Sequence, residues 1–145
     1  MYKVIKTYGH DRGYSCAFRQ WSAKSNCKYL HGYSLGFTIT LQSPTLDVNN
    51  WVYDFGNFSF LEDWLTQNFD HTLLIAKDDP EKEILMLLNN KVAKTIELEK
   101  ISCEYFAEMT FNFIDKHLSD IDIEVVSVEV SEHSSNAAIY TKPNA

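Results

Sequence analysis

Nowhere in the 145 residues do apolar side chains run for the ~18 positions that a membrane-crossing helix needs. Nor do Lys and Arg cluster in a way that could follow a phosphate backbone. The two absences exclude a helical membrane protein and make nucleic acid an unexpected partner. Cysteine is scarce and odd in number, at three, which argues against a disulfide framework. The chain opens Met1-Tyr2-Lys3-Val4, without the charged and then apolar pattern of a secretory leader. A reduced, cytoplasmic protein is expected. Internal repeats and low-complexity segments are also missing. Basic residues are the minority, thirteen against twenty acidic, for a formal charge of −7. The chain does have apolar material, with 45% hydrophobic and 14% aromatic residues. In a chain of ordinary domain length that suffices for one core, so a single domain over 1–145 is expected.

The most regular pattern starts at His31. Tyr33, Leu35, Phe37, Ile39 and Leu41 alternate with Ser34, Gly36, Thr38, Thr40 and Gln42, the period-two signature of a half-buried strand. His31 falls on the apolar phase, so it and Tyr33 share the core face. Before it, Val4, Ile5, Tyr8 and Tyr14 surround the turn-like Gly9-His10-Asp11-Arg12-Gly13, which predicts a strand broken by a bend or bulge. After it, Ser43-Pro44-Thr45 and Asp47-Val48-Asn49-Asn50 are turn chemistry, and Trp51 to Phe55 reads as the returning strand of a hairpin.

Ser59-Phe60-Leu61-Glu62 has the form of a capping box, and Leu61, Trp64, Leu65 and Phe69 follow at helical spacing. Glu81 to Asn89 predicts a short helix, and Lys94 to Leu98 a brief strand. Ser102 is a candidate N-cap for a stronger helix carrying Phe106, Met109, Phe113, Ile114 and Leu118, with Glu104 suited to its first turn. In the last strand the apolar phase changes from Ile121, Ile123 and Val125 to Val126, Val128 and Val130, which predicts a bulge, since a plain slip would turn every later side chain over. The even phase then carries Glu132 to the apolar side, where a carboxylate needs a partner, unless the strand ends there and the carboxylate reaches water. Ala137 to Thr141 reads as a short edge strand. Strands, helices and strands again make an α+β domain, helices on one face of an antiparallel sheet.

Individually the chemical signals are modest. Cys27 and His31 suit a metal pair or an activated thiol with Lys28 favouring the thiolate, and equally a buried Cys beside a hydrogen-bonded core His. Asp70-His71 suits a carboxylate orienting a general base, but adjacent side chains usually diverge, which favours a helix-end His beside a solvated Asp. His10, His117 and His133 read as surface residues.

Together these residues carry a resemblance. Tyr14-Ser15-Cys16-Ala17, Cys27-x-x-x-His31-Gly32-Tyr33, Val52-Tyr53-Asp54-Phe55, Phe69-Asp70-His71-x-x-Leu74, Ser102-x-Glu104 and Val130-Ser131-Glu132, in that order, resemble the 6-pyruvoyltetrahydropterin synthase and 6-carboxytetrahydropterin synthase family from about Val4 to Tyr140. The resemblance implies the tunnelling fold: a four-stranded antiparallel sheet backed by two helices, three chains closing a β-barrel, and two trimers stacked into a homohexamer with active sites between subunits. It also implies roles. Cys27 would be the catalytic thiol, Asp70 and His71 its partners in proton transfer, and Glu132 the carboxylate holding the pterin. Ser102 and Glu104 would lie near the pterin pocket, although Ile101 stands where the family has proline.

The departure is the metal. Family enzymes bind zinc through three histidines, and the corresponding positions here are Phe18, His31 and Tyr33. A phenyl ring cannot ligate, and a neutral phenol ligates poorly. The aromatic pair therefore remodels the substrate pocket, with no cofactor expected and zinc least of all, although a substitute set from Cys16, Cys27 and His31 stays open. The expected function is lyase-type proton transfer on a pterin-like heterocycle without zinc, in a trimer or dimer of trimers. The alternatives are a pterin-binding module without catalysis and the same fold reused on another substrate.

Overall fold

The computed structural model describes residues 1–144. The chain forms β1 (Tyr2–Tyr8), β2 (Tyr14–Phe18), β3 (His31–Ser43), α1 (Ser59–Phe69), β4 (Thr72–Ala76), α2 (Lys82–Met86), β5 (Thr95–Leu98), α3 (Cys103–His117), β6 (Glu124–His133) and β7 (Asn136–Thr141). It is an α+β fold built around β3. The expected four-stranded antiparallel sheet is there as β1-β3-β6-β7. Three further strands extend it past the N-terminal half of β3. β2 pairs antiparallel with β3, then β4 with β2 and β5 with β4 in parallel, giving seven strands in all. The crossovers between parallel strands are what add α2, a third helix. Among the described residues no helix is long and apolar enough to cross a membrane.

The first strand breaks as expected. A single 3-10 turn at His10–Arg12 ends at Gly13, whose φ of +85° suits glycine alone among residues without strain. His10, however, is not a loose surface residue. Its Nδ1 lies 2.5 Å from the Ser34 carbonyl and its Nε2 3.2 Å from Ser131 Oγ. The ring tucks over Gly36, where a Cβ would come 3.3 Å from the imidazole and 2.6 Å from Ser131 Oγ.

The returning hairpin strand at Trp51–Phe55 does not form. Asp47 Oδ1 accepts from the amides of Asn49 (2.8 Å) and Trp51 (3.0 Å), and Asp54 Oδ1 from that of Gly56 (2.7 Å). These side chains offer the backbone local partners in place of a ladder, while Val52 and Tyr53 still pack into the core. The capping box at Ser59 fails too. Phe58 is the N-cap, without a side-chain bond, and Glu62 instead accepts from the Tyr8 hydroxyl at 2.9 Å.

Elsewhere period and burial agree. Leu61, Leu65 and Phe69 of α1 and Phe106, Phe111 and Ile114 of α3 are buried, and α1 packs toward β2 and β4 while α3 packs on β6 and β7. Ser102 caps α3, its hydroxyl accepting from the Tyr105 amide at 3.0 Å. The bulge lies where the phase change put it: Thr40 pairs with Ser127 and Leu41 with Val125, which leaves Val126 as the extra residue. A second irregularity follows, with Ser131 opposite Ala137 and His133 opposite Asn136, so Glu132 has no partner across the β6–β7 ladder.

Candidate functional site

At the N-terminal end of β3 the ladder brings Phe18 of β2 opposite His31, with Tyr33 two residues further on the same face. The three rings meet: centroids lie 5.3 Å apart for Phe18 and His31, 5.9 Å for Phe18 and Tyr33, and 5.4 Å for His31 and Tyr33. Phe18 is buried and reaches Phe106 of α3 edge to face at 5.4 Å, so it belongs to the core as much as to the site.

These residues do not suit zinc. Phe18 offers no lone pair. The Tyr33 hydroxyl is pushed above its ordinary range by burial, then by the charges of Glu132, Cys27 and Cys103, and so stays a neutral phenol. His31 Nδ1 lies 2.7 Å from the Tyr29 carbonyl. A carbonyl can only accept, so Nδ1 carries the proton and Nε2 is left as a single donor atom to a metal. Cys16 is buried and its thiol is pushed up to about 12, by burial first and then by Cys103, so it stays protonated. Among the described residues no three His, Cys, Asp or Glu side chains converge as a metal group.

Glu132, Cys27 and Cys103 lie near enough to Tyr33 for their charges to act on its hydroxyl. Glu132 sits at the β6 irregularity, without a partner across the β6–β7 ladder. Cys103, the first residue of α3, is buried with its thiol raised to about 12, by desolvation first and then by the carboxylates of Glu132 and Glu104. No periodicity in the sequence singles out Cys103 as a neighbour of Glu132; its position between Ser102 and Glu104 is the one signal available. Of those two, Ser102 spends its hydroxyl on the cap, and Glu104 is exposed. Cys27 is half-buried in a 3-10 turn at Asn26–Lys28.

Asp70 and His71 form a second cluster. Asp70 closes α1, and its Oδ1 lies 2.6 Å from His71 Nδ1. Adjacent side chains usually diverge; here they meet because His71 adopts φ +58° and donates its amide to the Ser15 carbonyl at 2.6 Å. A left-handed non-glycine residue costs on the order of 1 kcal/mol or more and tends to mark functional positions. The carboxylate makes Nδ1 the protonated nitrogen and leaves Nε2 as a base, on a side chain that is 86% exposed. His71 is tied to Ser15, whereas Cys27 is tied through its carbonyl to Gln20. Ser15 lies within β2 and Gln20 beyond its end at Phe18, so the dyad and the thiol hang from different parts of the β2 segment.

With this geometry in view, comparison with known proteins gives a consistent picture. The family model described as 6-pyruvoyl tetrahydropterin synthase matches residues 9–143. The chain belongs to the 6-pyruvoyl tetrahydropterin synthase family. A 6-carboxy-5,6,7,8-tetrahydropterin synthase of Rickettsia typhi is 30% identical over 81% of this chain and 87% of its own, and one of Aquifex aeolicus is 27% identical over 97% and 88%. Among solved structures, an uncharacterized protein of Wolinella succinogenes superposes with a TM-score of 0.82 at 17% identity, covering 98% of both chains. The Plasmodium falciparum 6-pyruvoyl tetrahydropterin synthase superposes at 0.64 and 15% identity, covering 97% of this chain and 98% of its own. The tunnelling fold is thereby shared.

Proposed function

We propose that the chain, acting as one domain, binds a pterin or a similar guanine-like heterocycle on Glu132 and carries out proton-transfer, lyase-type chemistry with Cys27, Asp70 and His71, without zinc. The observation that carries this reading is Glu132 itself, a carboxylate released from its strand ladder beside a neutral Tyr33 and the Cys27 thiol. A pterin edge presents a ring N–H and an exocyclic amine side by side, and a carboxylate accepts both in a fork. Tyr33 supplies a hydroxyl donor toward a substrate oxygen, a weaker polariser than a metal ion. The Asp70–His71 pair supplies a base whose free nitrogen faces outward.

An outward-facing base needs a surface to work against. The edges of β1 and β7 are unpaired within the described residues, and free edges invite closure by further copies. A trimer or dimer of trimers would bring the His71 of one chain to the Cys27 of the next. The cytoplasm is the compartment that fits three unpaired cysteines.

The test is calorimetric titration of a pterin into the wild type and Glu132→Gln. The amide keeps the shape but turns a donor toward a donor, and a buried unsatisfied group costs about 1–3 kcal/mol. Affinity should fall at least about tenfold. Equal affinity would remove Glu132 as the anchor and with it the pterin reading. A binding module without catalysis is favoured by the unsuited metal position; pterin binding that persists without any turnover would select it.

A further inference from the structure

The turn that carries Cys27 is too short to hold itself. It has two backbone bonds, Lys28 to the Ser25 carbonyl at 3.2 Å and Tyr29 to that of Asn26 at 3.0 Å, and the Ser25 hydroxyl accepting from the Cys27 amide at 3.3 Å. A single 3-10 turn of this kind is marginal in water. The structure holds it from outside, through the two residues that follow Phe18 of β2. Gln20 donates its amide to the Cys27 carbonyl at 2.8 Å, and its Nε2 to the Ile101 carbonyl at 3.2 Å, just ahead of the Ser102 cap. Arg19 donates Nη1 to the Lys28 carbonyl at 3.0 Å.

Arg19 is itself anchored. Its Nε and Nη2 fork onto Asp79 at 2.8 and 2.7 Å. The Asp79 side chain is 1% exposed and also accepts from the Glu81 amide at 2.8 Å. The guanidinium charge is thus matched by a buried carboxylate, and three of its N–H groups are spent inside the chain. What remains for it to do near Cys27 is geometric.

We infer that Arg19 is the positioning residue for Cys27, a three-pronged clamp that hangs the thiol-bearing turn from the buried Asp79. The inference rests on reading Cys27 as the working thiol. Lysine cannot substitute, because one ammonium on a flexible stem does not fork on Asp79 and reach Lys28 together. Arg19→Lys therefore keeps the charge beside Asp79, and the fold with it, while loosening the turn.

The experiment compares wild type, Arg19→Lys and Cys27→Ala as full chains. In Arg19→Lys the Lys28 and Tyr29 amides should exchange with deuterium at least about tenfold faster, with core amides of β3 unchanged. Bound pterin should shield Cys27 from iodoacetamide in the wild type but lose most of that shielding in Arg19→Lys, at a pterin affinity within about twofold of wild type. A merely structural role would lower affinity and core protection together. Wild-type exchange at Lys28 and Tyr29 in Arg19→Lys overturns the clamp. Unimpaired pterin turnover by Cys27→Ala overturns the role of the thiol instead, and the exchange result then stands alone.

Discussion

The two halves of β3 are one strand with one alternation, yet they do different work. From Phe37 to Gln42 the strand is paired on both edges, with β1 on one side and β6 on the other, and Phe37, Ile39 and Leu41 are at most 1% exposed. From His31 to Leu35 it is paired with β2 alone, and His31 and Tyr33 on the same phase are only half-buried. The doubly paired half builds the fold. The singly paired half has one open edge, and its inward phase, His31 and Tyr33, forms the floor of the candidate site.

Breaking the first half should cost most. Phe37 lies against Tyr14 at 5.9 Å and Phe69 at 5.1 Å, ring centre to ring centre. Phe37→Ala should lose about 3–5 kcal/mol of stability in urea unfolding, roughly a thousandfold in the folding equilibrium, with pterin affinity of the folded fraction retained. A loss below about 1 kcal/mol would mean that this half is not the rigid member of the pair.

The next effect separates the two thiols that flank Tyr33. Cys103, with its thiol raised to about 12, is protonated across the physiological range and belongs to the folded frame. Cys27 is half-buried in an exposed turn. Iodoacetamide at pH 8 should modify Cys27 at least about a hundredfold faster than Cys103, since the thiolate is the reacting form. Raising the pH toward 10 should speed Cys103 modification about tenfold per pH unit, because its thiolate fraction grows by that factor while it lies below its pKa. Comparable rates measured by peptide mass spectrometry at pH 8 would place Cys103 outside the frame.

The same contrast marks what the sequence could reveal. The alternation from Tyr33 to Leu41, the helical spacing of Phe106 and Ile114, and the phase change at Val126 each reflect one side chain lying on one face, and burial by the nearest element is enough to select them. The failures lie where a polar side chain chose a partner that pattern does not predict. Asp47 and Asp54 satisfied the backbone around Trp51 locally and removed a strand, and Glu62 bonded Tyr8 in place of capping α1. The site was legible one residue at a time. That Cys103 neighbours Glu132, that Arg19 reaches Asp79 sixty residues away, and that Asp70 and His71 meet through a left-handed backbone are facts of long-range packing, which no periodicity encodes.

Ser102 sharpens the comparison with a smaller effect, because it stands beside the site while its hydroxyl serves the fold. Ser102→Ala removes the cap of α3 and should cost about 1 kcal/mol, leaving pterin affinity within about twofold. If affinity falls tenfold while stability holds, the hydroxyl belongs to the singly paired half and its cap is secondary.

The smallest expected effect is none at all, and it bears on the aromatic floor directly. A metal that binds the folded chain and not the unfolded one raises stability by RT ln(1 + [L]/Kd), about 2.7 kcal/mol at a hundred times Kd. With Phe18 and Tyr33 facing His31 at 5.3 and 5.4 Å between ring centres, and the His31 Nδ1 proton committed to the Tyr29 carbonyl, the floor offers one nitrogen. A lone imidazole holds zinc weakly, so equimolar zinc should leave the unfolding midpoint where it was and create no synthase activity. The sharper arm is the double substitution Phe18→His with Tyr33→His, which restores three imidazoles on strands already in register. That variant should gain stability with zinc, and the gain should vanish with a chelator. A zinc-dependent rise in the wild type, with about one ion per chain by elemental analysis, would mean that a thiol has been drawn in as a ligand, and Cys27 would then have to be withdrawn as the free catalytic group.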